Sequence, residues 1–291
     1  MAIENVVLYH ANCMDGFCAA WVASQFLPRE KTEFVPVQYG QSIPSEWSGK
    51  YVYIVDFCYS ADQIRYLLKN NRFVAVIDHH KTSAPILDEL KKDGNEKLDV
   101  LFDLTESGGS LTHQYFNDNT EYHWLVTYTK DRDLWLFVQP DSRAINAYLR
   151  VLPMSFDVWD NLANDTSQDL GFLWNSMIGQ GNAIIKSQDQ TIEQHTKKAV
   201  QIRIDGHKIR AVNATTLFSE IAGKLSEGFP FAAAYFIRED NKVQWSLRSA
   251  RDGLDVSEIA KKHGGGGHKH AAGFETDIQF LKDALEGSEN A

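Results

Sequence analysis

The stretch FVAVIDHH, residues 73–80, decides the fold that this sequence predicts. Its first five residues are apolar and mostly β-branched, and the run has the length of a short strand buried on both faces of a parallel sheet. Asp78, His79 and His80 follow this strand directly. Titratable side chains in such a place are costly unless they are paired or bind something. The stretch therefore predicts a central strand with a functional site at its carboxyl end.

Two earlier segments have the same strand-like character, VVLY at residues 6–9 and YVYIV at residues 51–55. Helical patterns at residues 17–26 and 60–69 separate the three strands, and Ser60 is a suitable N-cap for the second helix. This β-α-β-α-β order predicts an open, mostly parallel α/β sheet with right-handed crossovers.

Polar side chains follow each of these strands. His10, Asn12 and Asp15 come after the first strand, and Asp56 ends the second. Ligands of parallel α/β sheets bind outside the carboxyl ends of the strands, so we expect these side chains to meet in one crevice. A further candidate, Asp131, follows the strand-like run LVTY.

The residue types in this crevice suit divalent metal ions. Carboxylates and imidazoles together bind Mn²⁺ and other first-row ions. Two such ions about 4 Å apart, bridged by a carboxylate, can activate a water molecule and stabilise a leaving phosphate oxygen. A lone Asp at a strand end is more often a helix cap or a turn residue. The combination of His and Asp after successive strands favours the metal site.

The pattern restarts after residue 200. A strand-like IRI, a turn at Asp205-Gly206 and the run HKIRAVN are followed by a helix and two more strand-like runs. We predict a smaller α/β domain over residues 201–291. A polar helical segment, residues 187–200, would connect it to a first domain of residues 1–186.

A glycine run, Gly264–Gly267, lies near the end of the chain and is followed by His268. Successive glycines let backbone N–H groups converge on an anion, and Arg248 offers a planar donor for phosphate. A flexible linker is the alternative interpretation of the run, although such linkers rarely end in HKHAAGF.

Taken in chain order, these motifs resemble those of the DHH phosphoesterases. In that family a His/Asp motif follows the first strand, a lone Asp ends the next, the DHH triplet ends another, and a further Asp lies downstream. The matching residues here are His10 and Asp15, Asp56, Asp78-His79-His80 and Asp131. The segment from Arg248 through the glycine run to Gly273 is similar to the family's DHH-associated C-terminal domain, so the resemblance spans essentially the whole chain.

The resemblance implies a role for each matching residue. The direct metal ligands would be His10, Asp15, Asp56, His79 and Asp131, with Asp56 as the bridge. The catalytic residues would be His80, Asn12 and Asp78. His80 would touch the reacting phosphate, and Asn12 would lie near the metal-bound water or a phosphate oxygen. Asp78 would be a metal ligand or the partner that fixes a histidine tautomer. Substrate binding in the second domain would use Arg248, Ser249, Gly265, Gly266, Gly267 and His268. The cofactor would be Mn²⁺ in two positions, with Mg²⁺ or Co²⁺ as alternatives, in a cleft between the two domains.

One motif departs from the family pattern. Many relatives carry two aspartates, two residues apart, in the first motif, whereas here Asp15 stands alone after Cys13-Met14. We expect Asn12 or water to take the place of the missing carboxylate. Asp133 is expected to orient its neighbour Arg132 or to cap a helix.

The composition narrows the range of possible substrates. A net charge of -10 disfavours long nucleic acids, whose binding needs many Lys and Arg. The family includes single-strand exonucleases, nano-RNases, pAp phosphatases, cyclic-dinucleotide phosphodiesterases and exopolyphosphatases. We expect a hydrolase of short oligonucleotides or of a 3',5'-bisphosphonucleotide that uses metal-activated water. The alternatives are an exopolyphosphatase and, from another class, a non-catalytic nucleotide- or RNA-binding protein.

The sequence also predicts a cellular setting. Three cysteines, an odd number without a CxxC pair, fit a reducing compartment. The N-terminus carries an acid and no long apolar run, and no stretch of about 18 apolar residues could span a membrane. We expect a cytoplasmic protein, and the family analogy is compatible with a homodimer.

Overall fold

The structure is a computed structural model. It describes residues 2–38, 40–117, 121–164 and 170–286. The chain divides into two compact units, Met1–Ile185 and Lys186–Ala291. Among the helices of the described residues, none is both long and apolar enough to cross a membrane.

The first unit alternates strands and helices and then becomes helical. Its elements are β1 Asn5–His10, α1 Met14–Phe26, β2 Thr32–Val37, β3 Tyr51–Val55, α2 Ala61–Asn70, β4 Phe73–Asp78, α3 Ala84–Lys92, β5 Leu98–Phe102, α4 Gly108–Asn117, α5 Trp124–Asp133, α6 Ser142–Leu149, α7 Phe156–Ala163 and α8 Leu170–Thr196. Helix α8 continues past Ile185 into the second unit.

The five strands form one parallel sheet in the order β2-β1-β3-β4-β5. The predicted parallel α/β sheet is thereby confirmed, and its three predicted strands are the central ones, β1, β3 and β4. Because these strands are adjacent and parallel, their carboxyl ends lie side by side at one edge of the sheet. That edge is where the sequence places the polar motifs.

Both faces of this sheet are covered, which explains the unbroken apolar strands. Alternate strand residues such as Leu8 and Ile54 pack with Leu67 of α2 on one face. Val7 and Leu111, the latter in α4, lie in the cluster on the other face. Helix α1 is apolar all round because its far side also packs against the helices that follow β5.

One strand prediction was wrong. The run LVTY lies in the helix α5, not in a strand. His123 begins this helix, and its ring nitrogen accepts a hydrogen bond from the N–H of Leu125 at 3.3 Å. A short apolar run cannot distinguish a strand from a buried helix segment, because both bury every residue.

The second unit is built on a mixed sheet in the order β10-β11-β9-β8-β7-β6, in which only β7 and β8 pair in parallel. Its elements are β6 Val200–Ile204, β7 His207–Asn213, α9 Phe218–Leu225, β8 Ala232–Ile237, β9 Val243–Arg248, α10 Val256–Lys262, β10 Gly266–His268, β11 Ala271–Thr276 and α11 Ile278–Glu286. Trp245 and Phe274 are almost fully buried in its core.

The predicted turn at Asp205-Gly206 joins β6 to β7 as a two-residue hairpin. Both residues have positive φ, 49° and 81°, which is the backbone of a type I′ turn. The segment 187–200, expected to connect two domains, consists of the end of α8, three further residues and the start of β6. Residues 165–169, between α7 and α8, lie outside the described residues.

Candidate metal centre

Three adjacent strands bring the polar motifs together. His10 ends β1, Asp56 follows β3, and Asp78 ends β4 with His79 after it. Asp56 has a positive φ of 62°, and so does Asn12, with φ of 57°, after β1. A left-handed backbone at non-glycine residues costs free energy and is typical of functional sites.

The start of α4 closes the site from one side. The N–H groups of Gly108 and Gly109 donate to the carboxylate of Asp15 at 2.5 and 3.1 Å. A helix N-terminus stabilises a negative charge in this way. A side chain at position 108 would not fit, because its Cβ would lie 2.5 Å from the Cβ of Asp56. The glycine pair is therefore used to hold a carboxylate and to let α4 approach Asp56.

His79 stands at the centre of the acidic groups. Its Nε2 lies 3.1 Å from Oδ1 of Asp56, 3.7 Å from Asp15 and 3.6 Å from Asp133. The His79 side chain is fully buried. One imidazole is thus surrounded by three carboxylates in a place with little access to water.

The charges of this cluster are not balanced by protein groups alone. Burial, together with Asp56 and Asp133, raises the pKa of Asp15 well above its usual range. Burial alone would raise the pKa of Asp56, but hydrogen bonds from His10 and His79 hold it below the usual range. Burial would lower the pKa of His79, but its hydrogen bond to Asp56 and the acidic charges raise it to about 10. A proton on His79 thus gives the carboxylates around it one positive charge. A divalent cation would supply two and would neutralise them more completely.

Asp78 fixes the neighbouring histidine. Its Oδ1 lies 2.7 Å from Nδ1 of His80 and accepts the backbone N–H of His79 at 2.8 Å. Burial would lower the pKa of His80, but the Asp78 charge raises it. The pair has the form of a carboxylate that orients an imidazole and fixes its tautomer.

Two of the groups of converging donor atoms suit a pair of divalent ions. Within each group the ligand atoms lie within 4.8 Å of one another; the groups are Asp15, His79 and Asp133, and His10, Cys13 and Asp56. Asp56 reaches both, because Oδ1 contacts His79 while Oδ2 lies 3.5 Å from Nδ1 of His10. Buried oxygens and nitrogens that converge in this way fit a two-metal centre with a bridging carboxylate.

Asp131, predicted as a ligand, is placed differently. Its carboxylate accepts the backbone N–H groups of Val138 and Gln139 at 2.9 and 3.3 Å and so holds the loop after α5. Asp133, expected to cap a helix or to orient Arg132, is the acid that approaches His79. Asp131 and Asp133 point in different directions, because two residues along a helix lie about 200° apart around its axis. In the sequence, the only indication that Asp133 could approach His79 is its position two residues after Asp131.

One comparison with known proteins bears on the second unit. Residues 191–290 match the model of the DHHA1 domain. The C-terminal unit is a DHHA1 domain. The resemblance to a DHH-associated domain is therefore confirmed. A segment of 94 residues, 31% of the chain, is 32% identical to oligoribonuclease NrnB of Bacillus subtilis (strain 168), of which it covers only 24%.

Two matches extend along nearly the whole chain. It is 26% identical over 292 residues to uncharacterized protein R106 of Acanthamoeba polyphaga mimivirus, covering 93% of this chain and 67% of that protein. The solved DHH domain of a protein described as a member of a ribosomal protein family superposes with a TM-score of 0.62 at 14% identity, covering 98% of this chain and 85% of that one. This likeness confirms the two-domain α/β fold.

The DHHA1 domain carries the predicted substrate-binding residues. Arg248 ends β9 and donates through Nη2 to the hydroxyl of Ser219 at 2.5 Å. The hydroxyl of Ser249 lies 3.0 Å from Nδ1 of His270. His268 ends the short strand β10.

The sequence predicted an anion nest at the glycine run of the DHHA1 domain, and two N–H groups of the run are engaged within the domain. The N–H groups of Gly264 and Gly265 donate to the carbonyls of Lys261 and Ala260, and Gly266 and Gly267 belong to β10. A Cβ at Gly265 would lie 2.1 Å from the Gly273 carbonyl oxygen, and one at Gly267 2.5 Å from the Ala271 carbonyl oxygen. The glycines allow β10 and β11 to approach closely, and this packing accounts for the run.

Proposed function

We propose that this protein is a divalent-metal-dependent phosphoesterase that hydrolyses short oligonucleotides or a small phosphorylated nucleotide. The observation that carries the proposal is the convergence of three carboxylates, two buried and one partly buried, on Nε2 of His79 at the carboxyl edge of the parallel sheet. A protein that only binds nucleotides gains nothing from such a costly group of acids.

The ligands would divide between two metal positions. His79, Asp15 and Asp133 would serve one, His10 the other, and Asp56 both. When bound, two divalent ions would supply an activated water and stabilise the charge that develops on phosphate. Asp133 takes the place that the resemblance assigned to Asp131.

His80 and Asn12 would act on the substrate itself. Asp78 holds Nδ1 of His80, which leaves the ring with one orientation from which to contact a phosphoryl oxygen. Asn12 lies two residues after β1 and turns the chain with its left-handed backbone. Both residues would stabilise negative charge on the phosphate during hydrolysis.

An aromatic pair after Asp133 favours a nucleotide over inorganic polyphosphate. Trp135 is 41% exposed, its ring contacts Phe137 with centroids 5.0 Å apart, and the Arg132 guanidinium lies 4.5 Å from its ring centre. Exposed aromatic rings with a neighbouring arginine are typical platforms for stacking a base. The similarity of one segment to a protein named oligoribonuclease supports the same substrate class.

We further propose that the DHHA1 domain contributes to substrate binding. Arg248, Ser249 and His268 would contact the part of the substrate that is not cleaved. Gly265, Gly266 and Gly267 would contribute by shaping the strand that carries His268 rather than by direct anion contacts.

The test is hydrolysis of a substrate panel by the purified protein. The panel contains dinucleotides, a 3',5'-bisphosphonucleotide, a single-stranded 12-mer, a cyclic dinucleotide and polyphosphate, each with Mn²⁺, Mg²⁺ or chelator. We expect metal-dependent turnover of a short nucleotide that Asp56→Ala abolishes and that the surface control Asp62→Asn leaves unchanged. Turnover of polyphosphate alone would favour an exopolyphosphatase. No turnover of any member, together with tight nucleotide binding, would favour the binding protein.

The aromatic pair gives a second test. We expect Trp135→Ala to raise KM for the preferred nucleotide about 5- to 150-fold, since stacking on one base contributes about 1–3 kcal/mol. Leu136→Ala is the matched control, because Leu136 is a similarly exposed apolar neighbour. An unchanged KM in Trp135→Ala would exclude the platform without affecting the metal centre.

A further inference from the structure

Cys13, in the motif that follows β1, lies close to His10 and Asp56. Only one of the two aspartates usual in that motif is present, Asp15. Cys13 stands two residues before Asp15 and one residue before the helix α1. The Sγ atom of Cys13, a ring nitrogen of His10 and a carboxylate oxygen of Asp56 all lie within 4.8 Å of one another. A sulfur therefore lies among the donor atoms of the second metal position.

We propose that Cys13 is a thiolate ligand of this second position, beside His10 and Asp56. The inference rests on the proposed metal centre and assigns one of its ligands. The thiol would lose its proton to solvent when the sulfur–metal bond forms. Cys13 would thus replace the missing carboxylate, rather than Asn12 or a water molecule.

The backbone directs Cys13 towards this place. Asn12 has a left-handed backbone with φ of 57°, and Cys13 returns to an extended conformation with φ of -114° and ψ of 133°. The first turn of α1 then lies against His10, because a Cβ at Gly16 would be 2.3 Å from the His10 carbonyl oxygen. This tight approach positions the helix start, with Cys13, over the end of β1.

A second observation points to a ligand here. Oδ2 of Asp56 is buried, and its contact with Nδ1 of His10 is long, at 3.5 Å. The Asp56 side chain is only 1% exposed. A buried carboxylate oxygen in this state is costly, and a cation held with Cys13 and His10 would satisfy it.

The other two cysteines have different surroundings. Cys18 is buried in the apolar cluster between α1 and the following helices. Cys58 donates its thiol to the carbonyl of Tyr59 at 3.2 Å. Neither belongs to a group of converging metal donors among the described residues.

A thiolate changes which ions the protein prefers. Oxygen and nitrogen ligands alone suit Mn²⁺ and Mg²⁺, whereas a soft sulfur shifts preference towards Zn²⁺, Fe²⁺ and Co²⁺. We therefore expect the two positions to differ, with the Cys13 position favouring the softer ion. The ratio of the Co²⁺ affinity to the Mg²⁺ affinity should fall in Cys13→Asp, which restores an oxygen ligand.

The experiment is titration of the full-length, metal-free protein with Co²⁺, followed by near-ultraviolet absorption and metal analysis. Wild type should show a thiolate-to-cobalt charge-transfer band. Cys13→Ser and Cys13→Asp should lose the band, and Cys13→Ser should bind Co²⁺ at least about tenfold more weakly. Cys58→Ala is the control and should keep the band. Circular dichroism checks that each variant is folded.

Two outcomes would overturn the inference, and they separate it from the proposed function. If wild type binds Co²⁺ without the band, or if Cys13→Asp keeps the band, Cys13 is not a ligand, although the metal centre stands. If folded wild type binds no Co²⁺, Mn²⁺ or Zn²⁺ at all, the metal centre fails and the inference fails with it.

Discussion

At the scale of single residues, the metal centre shows how two nearby acids take different roles. Asp131 and Asp133 lie in the last turn of α5, but only Asp133 faces His79. Which acid faces the strands depends on the rotation of the helix about its own axis. That rotation is set by the packing of α5 against α1, which a single sequence does not specify.

This difference can be tested with a pair of neighbouring substitutions. We expect Asp133→Asn to weaken Mn²⁺ binding at least about tenfold. It should not lower the thermal stability of the metal-free protein, because one of three crowded acids is neutralised. Asp131→Asn should instead cost about 1–2 kcal/mol of stability, since it weakens the bonds to Val138 and Gln139. Calorimetric titration with Mn²⁺ and denaturant unfolding in chelator measure the two effects. The reverse pattern would restore Asp131 as the ligand.

A second residue-scale prediction concerns stability away from the metal centre. Asp160 in α7 accepts hydrogen bonds from Nε1 of Trp21 and from Nη2 of Arg29, both at 2.9 Å. The hydrogen bond from Arg29 holds the pKa of Asp160 below its usual range. A carboxyl whose pKa is lowered by folding contributes stability above its unfolded pKa of about 3.9 and loses it as the pH falls through the folded pKa.

Asp160→Asn should therefore lower the free energy of unfolding at neutral pH by about 1 kcal/mol, a value reduced for partial solvent exposure. The gap between wild type and variant should narrow as the pH falls below about 3.9, where the wild-type carboxyl becomes protonated. Urea unfolding at several pH values measures this gap. A gap that stays constant with pH would show that the carboxylate charge is not what stabilises the contact.

At the scale of elements, the sequence predicts the central strands better than the edges. β1, β3 and β4 are buried on both faces and appear as unbroken apolar runs, so they were predicted. β2 contains Pro36, and β5 contains Asp99, and both strands were missed. Proline is tolerated at a sheet edge, where one row of backbone N–H groups needs no partner, so the edge strands carry a weaker pattern.

The role of α4 in the metal centre could not be predicted in the same way. The sequence shows Gly108-Gly109 before a helix, which indicates a capped helix start or, as the alternative, N–H groups that bind a phosphate. That its N–H groups hold Asp15, 93 residues earlier, follows from the packing of α4 beside α1. Contacts over such sequence distances depend on the tertiary fold. The motifs at the strand ends can be recognised from the sequence alone, because their residues directly follow each strand.

Gly108→Ala tests this arrangement. The new Cβ would lie 2.5 Å from the Asp56 Cβ and 2.6 Å from its Oδ1, so Asp56 must move. We expect Mn²⁺ affinity to fall more than about tenfold while the circular dichroism spectrum stays that of a folded protein. Gly179→Ala in α8 is the control, because no atom lies within 4 Å of its Cβ. The control should gain about 0.5–1 kcal/mol of stability. Wild-type Mn²⁺ affinity in Gly108→Ala would contradict the arrangement.

At the scale of the whole molecule, two hydrophobic cores share one chain. The proposed metal ligands belong to the first unit, whose core is built around the parallel sheet. The DHHA1 domain has its own core around Trp245 and Phe274. This separation predicts that each unit unfolds in a transition of its own, because each core loses its buried apolar surface independently.

Differential scanning calorimetry with two perturbations tests this separation. Mn²⁺ binds only folded ligands, so at about 100 times its dissociation constant it should stabilise the first unit by about 2.7 kcal/mol and raise that transition alone. Gly265→Ala, whose Cβ would meet the Gly273 carbonyl oxygen at 2.1 Å, should lower the other transition and leave Mn²⁺ affinity unchanged. Asp56→Ala should remove the effect of Mn²⁺ but not that of the glycine substitution. If both perturbations move one common transition, the two cores unfold together. The DHHA1 domain would then stabilise the metal centre as well as contribute to substrate binding.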